Sequence, residues 1–240
     1  MLESESFVII NNLSIIKKER QSEMVASFFL IKICFFNIFF VHLQCKIFKF
    51  QIMDKLSNYE LFLKKLNQLG IDTTKLAEEY GEKLADASFS INSENGLAYD
   101  GSLIEVILYK LTPYAIRLNE LFPEAIRVDK ASLIKVCLLH QIAKAVRLAH
   151  NDNEWEIKNR GLLYKYVQGQ PSIRTGLHSL VIANNCGITF TPEEAEAMTV
   201  NDRDLTDDQA RWHSSLMASI VRQASEMVYL EANNSPKNTE

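Results

Sequence analysis

Cysteine is scarce in this 240-residue sequence, which contains only four cysteines and no CxxC pair. The spacing of Cys34, Cys45, Cys137 and Cys186 fits neither a structural zinc site nor the disulfide framework of a small secreted domain. We therefore predict that they are reduced thiols, with Cys137 and Cys186 in a helical core, and that the protein is cytoplasmic.

Other features that often identify a function are absent as well. The eight glycines do not form a loop that would cradle phosphate groups, and no serine lies in a nucleophile elbow. Positive charge is not in excess, since 26 basic and 30 acidic residues give a net charge of −4 and a pI near 5.8. General binding to nucleic acids or anionic membranes is therefore not expected. The hydrophobic content of 47% is sufficient for one globular core.

Residues 1–52 differ in composition from the rest of the chain, because they hold nine of the 13 phenylalanines and no glycine, proline or aspartate. We interpret them as AT-rich upstream DNA translated in error, with Met53 as the true start. Two alternatives remain open, a genuine extension and a membrane anchor through residues 27–43. Against the anchor, polar residues such as Lys32 and His42 interrupt the apolar run well short of the roughly 20 residues that a span needs.

Helical periodicity dominates after this region and predicts an all-α fold. We expect a single bundle of about seven helices over residues 53–232 and a disordered tail over 233–240. One long helix is predicted from about Gly101 to Phe122, with a kink or a break at Pro113. Residues 150–171 are rich in aromatics and glycine, and we interpret them as an irregular excursion, with or without a short hairpin.

The most informative stretch is Lys135–Lys144, which lies in a helix predicted to run from an Asp129 cap to about Ala149. His140 and Gln141 interrupt its apolar pattern. A polar pair in a buried helix costs free energy unless hydrogen bonds satisfy it. Two interpretations follow, a hydrogen-bonded core histidine and a site for a metal or a phosphate group.

The sequence Leu-Leu-His-Gln-Ile-Ala-Lys over residues 138–144 resembles the Leu-Leu-His-Asp-Ile-x-Lys signature of the HD-domain superfamily, metal-dependent phosphohydrolases with an all-helical fold. Three further segments are similar in order and spacing to helix starts of that family, namely residues 98–108, 174–180 and 192–197. The resemblance covers about residues 85–230. It implies an HD-like bundle from a bacterium or a phage.

The resemblance also assigns the metal-ligand positions of the family to this chain. The corresponding residues are Val106, His140, Gln141, Thr175 and Asn201. Only His140 keeps a metal-binding side chain, since valine cannot ligate and Gln141 has a neutral amide where the family has a carboxylate. The resemblance therefore implies a degenerate HD protein without metal-dependent phosphohydrolase activity, and no cofactor is expected.

A metal site rebuilt from shifted residues is the alternative, and it would bring back a divalent metal ion. Its candidate ligands are His140, His178 and Asp202. His178 lies about one helical turn from Thr175 and is therefore expected near the same cavity. Asp202 and Asp204 also have a simpler interpretation as solvated loop carboxylates or helix caps.

Basic side chains near the vestigial site predict a pocket for a nucleotide or another phosphate ligand. The candidates are Lys144, Arg174 and His178, whereas Arg147 is expected to be an exposed helix charge. We therefore predict a binding or regulatory module that holds its ligand without cleaving it. Two other functions remain open: an active phosphohydrolase with rearranged metal ligands, and a scaffold that contacts a protein partner or forms a homo-oligomer.

Overall fold

The computed structural model of the chain describes residues 55–169, 172–202 and 214–234. The predictions for residues 1–52, including the membrane anchor, and the prediction for Asp204 lie outside this part. Helices make up most of the described residues, and the strands among them form one two-stranded sheet. The prediction of an all-α fold is therefore confirmed.

The helices are numbered here in chain order. They are α1 (55–68), α2 (Thr74–Asp86), α3 (Ser102–Val106), α4 (Thr112–Glu120), α5 (Lys130–Leu139), α6 (Lys144–Arg147), α7 (Glu154–Arg160), α8 (Thr175–Asn185), α9 (Pro192–Thr199) and α10 (Leu216–Asn234). The strands are β1 (Leu148–His150) and β2 (Tyr164–Tyr166). None of the helices in the described ranges combines the length and the apolar character that a membrane crossing requires. The tail predicted to be disordered is helical at Asn233 and Asn234, and its remaining residues lie outside the described part.

Helices α3 and α4 form one continuous helix, because a π-helical segment, Ile107–Leu111, joins them. Pro113 follows this segment at the start of α4. A proline cannot donate the backbone hydrogen bond of a helix interior, and a wider π turn is one way to accommodate it. The kink or break predicted at Pro113 is thus replaced by a local change of helix type.

Helix α5 lies at the centre of the bundle and packs against α4, α8, α9 and α10. The side chain of Asp129 caps it by accepting a hydrogen bond from the backbone N–H of Ser132 at 2.8 Å, as predicted. Leu133, Val136 and Leu139 are completely buried. A helix that is apolar on several faces is typical of such a central position. Cys137 and Cys186 have free thiols and are both buried, as predicted.

The helix predicted to reach Ala149 ends at Leu139, and this prediction is wrong. The backbone makes a turn over residues 140–143, in which the N–H of Ala143 donates to the hydroxyl of Ser179 on α8 at 3.0 Å. A side chain from a distant helix therefore replaces a helical hydrogen bond at this point. The short helix α6 and strand β1 follow the turn.

Strands β1 and β2 pair in an antiparallel sheet in which Leu148 faces Tyr166. Helix α7 lies between them in the chain, within the stretch predicted to be irregular. The side chain of Asn153 caps its first turn, and Gly161 ends it with a φ of 63° in the left-handed region that favours glycine. Strand β1 begins before this stretch and α7 separates it from β2, so the described residues show paired strands but not the short hairpin that the sequence left open, and α7 was missed.

Candidate functional site

A cavity of about 350 Å³ is bounded by the turn after α5, the start of α8, the end of α9 and the middle of α10. Its lining consists of His140, Gln141, Lys144, Tyr166, Thr175, Gly176, Met198, Asn201, Asp202, Ser225, Glu226 and Tyr229. Four of the five positions assigned by the HD resemblance therefore lie together, although they come from three separate parts of the chain. The fifth, Val106, is not in this lining and is buried in the core, with 2% of its surface exposed.

Two of the predicted ligand-binding residues also lie outside this lining. Arg174 is exposed and occupies the cap position of α8. His178 is partly buried on α8, and its Nδ1 atom has no hydrogen-bond partner among the described residues. Partial burial and the neighbouring positive charge of Arg147 lower the pKa of His178. The predicted candidates for ligand binding are thus reduced to Lys144.

His140 is 1% exposed, and both of its ring nitrogens make hydrogen bonds. Its Nδ1 lies 3.2 Å from the carbonyl oxygen of Cys137, which can only accept, so Nδ1 carries the proton. Its Nε2 lies 3.0 Å from the amide nitrogen of Gln141 and accepts from it. Burial lowers the pKa of His140 to about 4, so the ring is neutral at pH 7. The nitrogen that would bind a metal is therefore occupied by the Gln141 amide.

The candidate carboxylate Asp202 has a structural role at this site. Its two oxygens accept the backbone N–H groups of Gly176 at 3.0 Å and Leu177 at 2.7 Å, in the first turn of α8. Asn201 donates its amide to the hydroxyl of Ser225 at 3.0 Å. The cap interpretation of Asp202 thus holds, although it caps α8 and not a helix that follows it.

These contacts do not fit a metal ion. Over the described residues, no group of three or more histidine, cysteine, aspartate or glutamate side chains is arranged to share one. The carboxylate of Asp202 is engaged by α8, the Nε2 of His140 is engaged by Gln141, and Val106 has no donor atom. A metal that bound here would have to displace hydrogen bonds that are already made.

Gly176 brings α8 close enough to α9 for this arrangement. A Cβ atom at this position would lie 2.4 Å from the carbonyl oxygen of Met198 and 2.8 Å from an oxygen of Asp202. Both distances are far below van der Waals contact, so any larger residue would push α8 away from the cavity. The glycine therefore sets the width of the cavity at this end.

Lys144 has a different environment from the other polar groups of the cavity. Its ammonium donates to the carbonyl oxygen of Phe89 at 2.7 Å and lies 3.7 Å from the centre of the Phe89 ring. No carboxylate within the described part of the chain is paired with it, and burial lowers its pKa to about 7. A cation in this position lacks a counter-charge from the residues that the structure describes.

A second cavity of about 120 Å³ shares Lys144, Tyr166, Thr175 and Tyr229 with the first. Arg147 also lines it. The guanidinium of Arg147 donates to the carbonyl oxygen of Ile173 and lies 5.9 Å from the ring centre of Tyr166.

The sequence interpretation of Arg147 as an exposed charge is therefore wrong. Phe89, Tyr166 and Tyr229 were also missed, because no local pattern connects these aromatics with Lys144. The spacing of Lys144 and Arg147, three residues apart, was the one signal that pointed to a shared face.

Neither models of known protein families, nor curated protein sequences, nor solved structures gave a match to this chain. The HD resemblance therefore stays a prediction from the sequence.

Proposed function

We propose that the protein binds a small phosphorylated ligand, such as a nucleotide, and does not hydrolyse it by the metal-dependent mechanism of the HD-domain superfamily. The observation that carries this proposal is the ammonium of Lys144, which borders both cavities without a carboxylate partner in the described part of the chain. Burying a cation costs free energy that an anionic ligand would offset. A ligand with a phosphate group supplies that anion.

The aromatic residues around Lys144 favour a ligand that also has a flat ring. Phe89 and Tyr229 lie with their ring centres 5.5 Å apart, and Tyr166 and Tyr229 border both cavities. The phenol of Tyr229 is neutral at pH 7 and does not repel an anion, and burial raises its pKa further, to about 12. Aromatic side chains stack on nucleobases without a strong preference for one base. A nucleotide therefore offers a phosphate to the ammonium of Lys144 and a base to the aromatic rings.

We infer that the ligand is not hydrolysed from the side chains at the positions where the HD resemblance would require metal ligands. A metal-dependent phosphohydrolase needs several imidazole and carboxylate ligands that converge on an ion and lower the pKa of its bound water. Val106, Thr175 and Asn201 supply neither kind of group at the positions that the resemblance assigns. A regulatory or binding role is the part of the sequence prediction that agrees with these residues.

Isothermal titration calorimetry with adenosine 5′-monophosphate tests the proposal. We expect binding by the full-length protein and a loss of at least about tenfold in affinity for Lys144→Gln, because one charge-assisted hydrogen bond to phosphate is removed. Lys158→Gln is the matched control, since Lys158 is an exposed lysine on α7 and borders neither cavity.

The same samples give the test for hydrolysis. We expect no release of inorganic phosphate from the nucleotide with manganese, iron or nickel added. Equal binding by Lys144→Gln and the parent would contradict the proposal, as would turnover that depends on an added metal.

A further inference from the structure

We propose that the smaller cavity, between Lys144 and Arg147, is the seat of a phosphate monoester dianion, and that the rest of the ligand occupies the larger cavity. This inference rests on the proposed function, because it presupposes a phosphorylated ligand. It adds where the phosphate lies and which class of phosphate is bound. The phosphate would then lie away from His140, where the HD resemblance would place it.

The two cavities differ in the charges of their walls. The larger one is bordered by the carboxylates of Asp202 and Glu226 as well as by Lys144. The smaller one is bordered by Lys144 and Arg147, and the described residues around it include no aspartate or glutamate. An anion therefore meets two cations and no like charge in the smaller cavity, whereas two carboxylates oppose it in the larger one.

Arg147 is held in place before any ligand binds. One of its N–H groups donates to the carbonyl oxygen of Ile173, and its central carbon lies 5.9 Å from the centre of the Tyr166 ring. Its Nε is buried and has no hydrogen-bond partner among the described residues. A guanidinium has five N–H donors in a rigid fork, so a fixed position leaves donors for two phosphate oxygens. Such preorganisation reduces the entropy lost on binding.

The remaining polar groups of the smaller cavity agree with this assignment. The ammonium of Lys144 has three donors, of which the Phe89 carbonyl uses one. The hydroxyl-bearing residues Ser90 and Thr175 also border the cavity. All of these groups can donate to an oxygen that carries negative charge. The seat thus offers more donors than a carboxylate needs, and a phosphate has three terminal oxygens to accept them.

The relative sizes of the two cavities fix the orientation of the ligand. The smaller cavity has about 120 Å³ and the larger about 350 Å³. A phosphate group is compact, whereas a nucleoside needs the larger space. The residues that the two cavities share include Tyr166 and Tyr229. A nucleoside attached to the seated phosphate would therefore lie beside these two tyrosines.

Two cations favour a dianion over a monoanion. A phosphate monoester carries a charge close to −2 at pH 7, because its second pKa is about 6. A cyclic phosphodiester carries a single charge and has only two terminal oxygens, so it would leave one of the two cations without a counter-charge. The class of ligand that fits the seat is therefore a terminal phosphate monoester.

The test compares adenosine 5′-monophosphate with adenosine 3′,5′-cyclic monophosphate, which share the base and the sugar. Calorimetric titration of the full-length protein should give at least about tenfold tighter binding of the monoester. Arg147→Gln should remove most of this preference by weakening the monoester alone. Arg174→Gln is the matched control, because Arg174 is an exposed arginine outside both cavities and should leave the preference unchanged. Inorganic phosphate should compete with the monoester in the parent.

The outcomes separate this inference from the proposed function. Equal binding of the two nucleotides, or a preference that survives Arg147→Gln, would overturn the seat and leave the binding function standing. No binding of either nucleotide to the parent would overturn both. If circular dichroism shows that Arg147→Gln does not fold, Arg147→Met takes its place, since it keeps an apolar stem and removes the charge. A preference unchanged in Arg147→Met would then overturn the seat.

Discussion

Lys135 and Lys144 lie nine residues apart in the sequence and have opposite environments. Lys135 is on α5, and its ammonium pairs with the carboxylate of Glu194 at 2.7 Å and donates to the carbonyl oxygen of Thr189 at 2.7 Å. Lys144 has a backbone carbonyl and an aromatic ring, but no carboxylate in the described part of the chain. Lys135 and Lys144 are both partly buried, but only Lys135 is neutralised by a carboxylate among the described residues.

The pKa values express the same difference. Burial alone would raise the pKa of Glu194, but hydrogen bonds from Lys135 and Thr191 outweigh it and the pKa is lowered. At Lys144, burial has no such compensation, and the pKa falls to about 7. A compensated charge holds two elements together, here α5 and α9. An uncompensated charge reduces stability and is typical of a site that serves a ligand.

The largest effect is expected from removing the compensated lysine. Lys135→Met would leave the carboxylate of Glu194, 3% exposed, without its cation and should lower the free energy of unfolding by about 3 kcal/mol. Urea unfolding at pH 7 measures this change. Lys75→Met is the control, because Lys75 forms an exposed pair with Glu79 and should cost less than about 1 kcal/mol. Equal losses in the free energy of unfolding for Lys135→Met and Lys75→Met would show that the pair of Lys135 with Glu194 stabilises the fold no more than an exposed pair does.

A second variant would make Lys144 resemble Lys135. Gln141→Asp introduces a carboxylate three residues before Lys144, in the lining of the same cavity, where we expect it to neutralise the ammonium. We expect about tenfold weaker binding of adenosine 5′-monophosphate by calorimetry, since the ligand phosphate then competes with an internal anion. Gln141→Leu removes the same amide without adding charge and should weaken binding less. If both variants lose affinity equally, charge compensation is not the cause.

The metal content of Gln141→Asp, determined by elemental mass spectrometry, tests the HD resemblance separately. The substitution restores the His-Asp pair of that family at His140. It leaves Val106, Thr175 and Asn201 unchanged, so we expect no stoichiometric metal. The opposite result would be iron, manganese or nickel bound by Gln141→Asp and lost when His140→Ala is added. It would favour the interpretation that the parent site lacks only one ligand of an active phosphohydrolase.

A further effect concerns pH. The pKa of Lys144 in the free protein is about 7, and a bound anion raises it, so binding takes up a proton when the pH exceeds 7. Affinity for the monoester should therefore fall between pH 7 and 9, by up to about tenfold for each unit. Among the other cavity groups, His140 with a pKa of about 4 and Tyr229 with a pKa of about 12 do not titrate in this range.

Lys144→Arg is the control for this pH dependence, because a guanidinium keeps its charge over the whole range. Its affinity should be constant between pH 7 and 9. A parent protein whose affinity is equally constant would show that Lys144 is not the titrating anchor.

Local sequence signals predicted much of the fold. The Thr-Pro-Glu-Glu sequence that begins at Thr191 predicts a capped helix start, and both hydrogen bonds of the capping box with Glu194 are present. Asp129 caps α5 as expected. These features depend on residues within four positions of one another, so that the sequence alone determines them.

The break after α5 was not predictable, because its cause lies on another helix. Residues 140–149 have no proline or glycine and continue the apolar pattern, yet Ser179 takes the N–H of Ala143 and the chain turns. The turn separates Lys144 and Arg147 from α5. A tertiary hydrogen bond thus overrides local helix propensity at the point where the site forms.

The site was predicted only in part for the same reason. The resemblance identified His140, Gln141, Thr175 and Asn201, which the structure brings together. From the sequence we chose Arg174 as a ligand-binding candidate and set Arg147 aside, whereas Arg147 lines the smaller cavity and Arg174 lines neither. Burial of a helical arginine depends on what packs against it. Phe89 and Tyr229, which approach Lys144 from distant segments, leave no pattern in the sequence around it.

The central claim is that Lys144 is kept at a cost to stability in order to bind an anion. The most direct test is the melting temperature of the parent and of Lys144→Met at pH 6.5, with and without adenosine 5′-monophosphate. Because the pKa of Lys144 is lowered on folding, its penalty is fully present below pH 7 and disappears only above its unfolded pKa.

We predict that Lys144→Met is more stable than the parent by on the order of 1 kcal/mol, or about 2–4 °C, and that the nucleotide raises its melting temperature less than that of the parent. A variant that is less stable than the parent, or one that the nucleotide stabilises equally, would contradict the account.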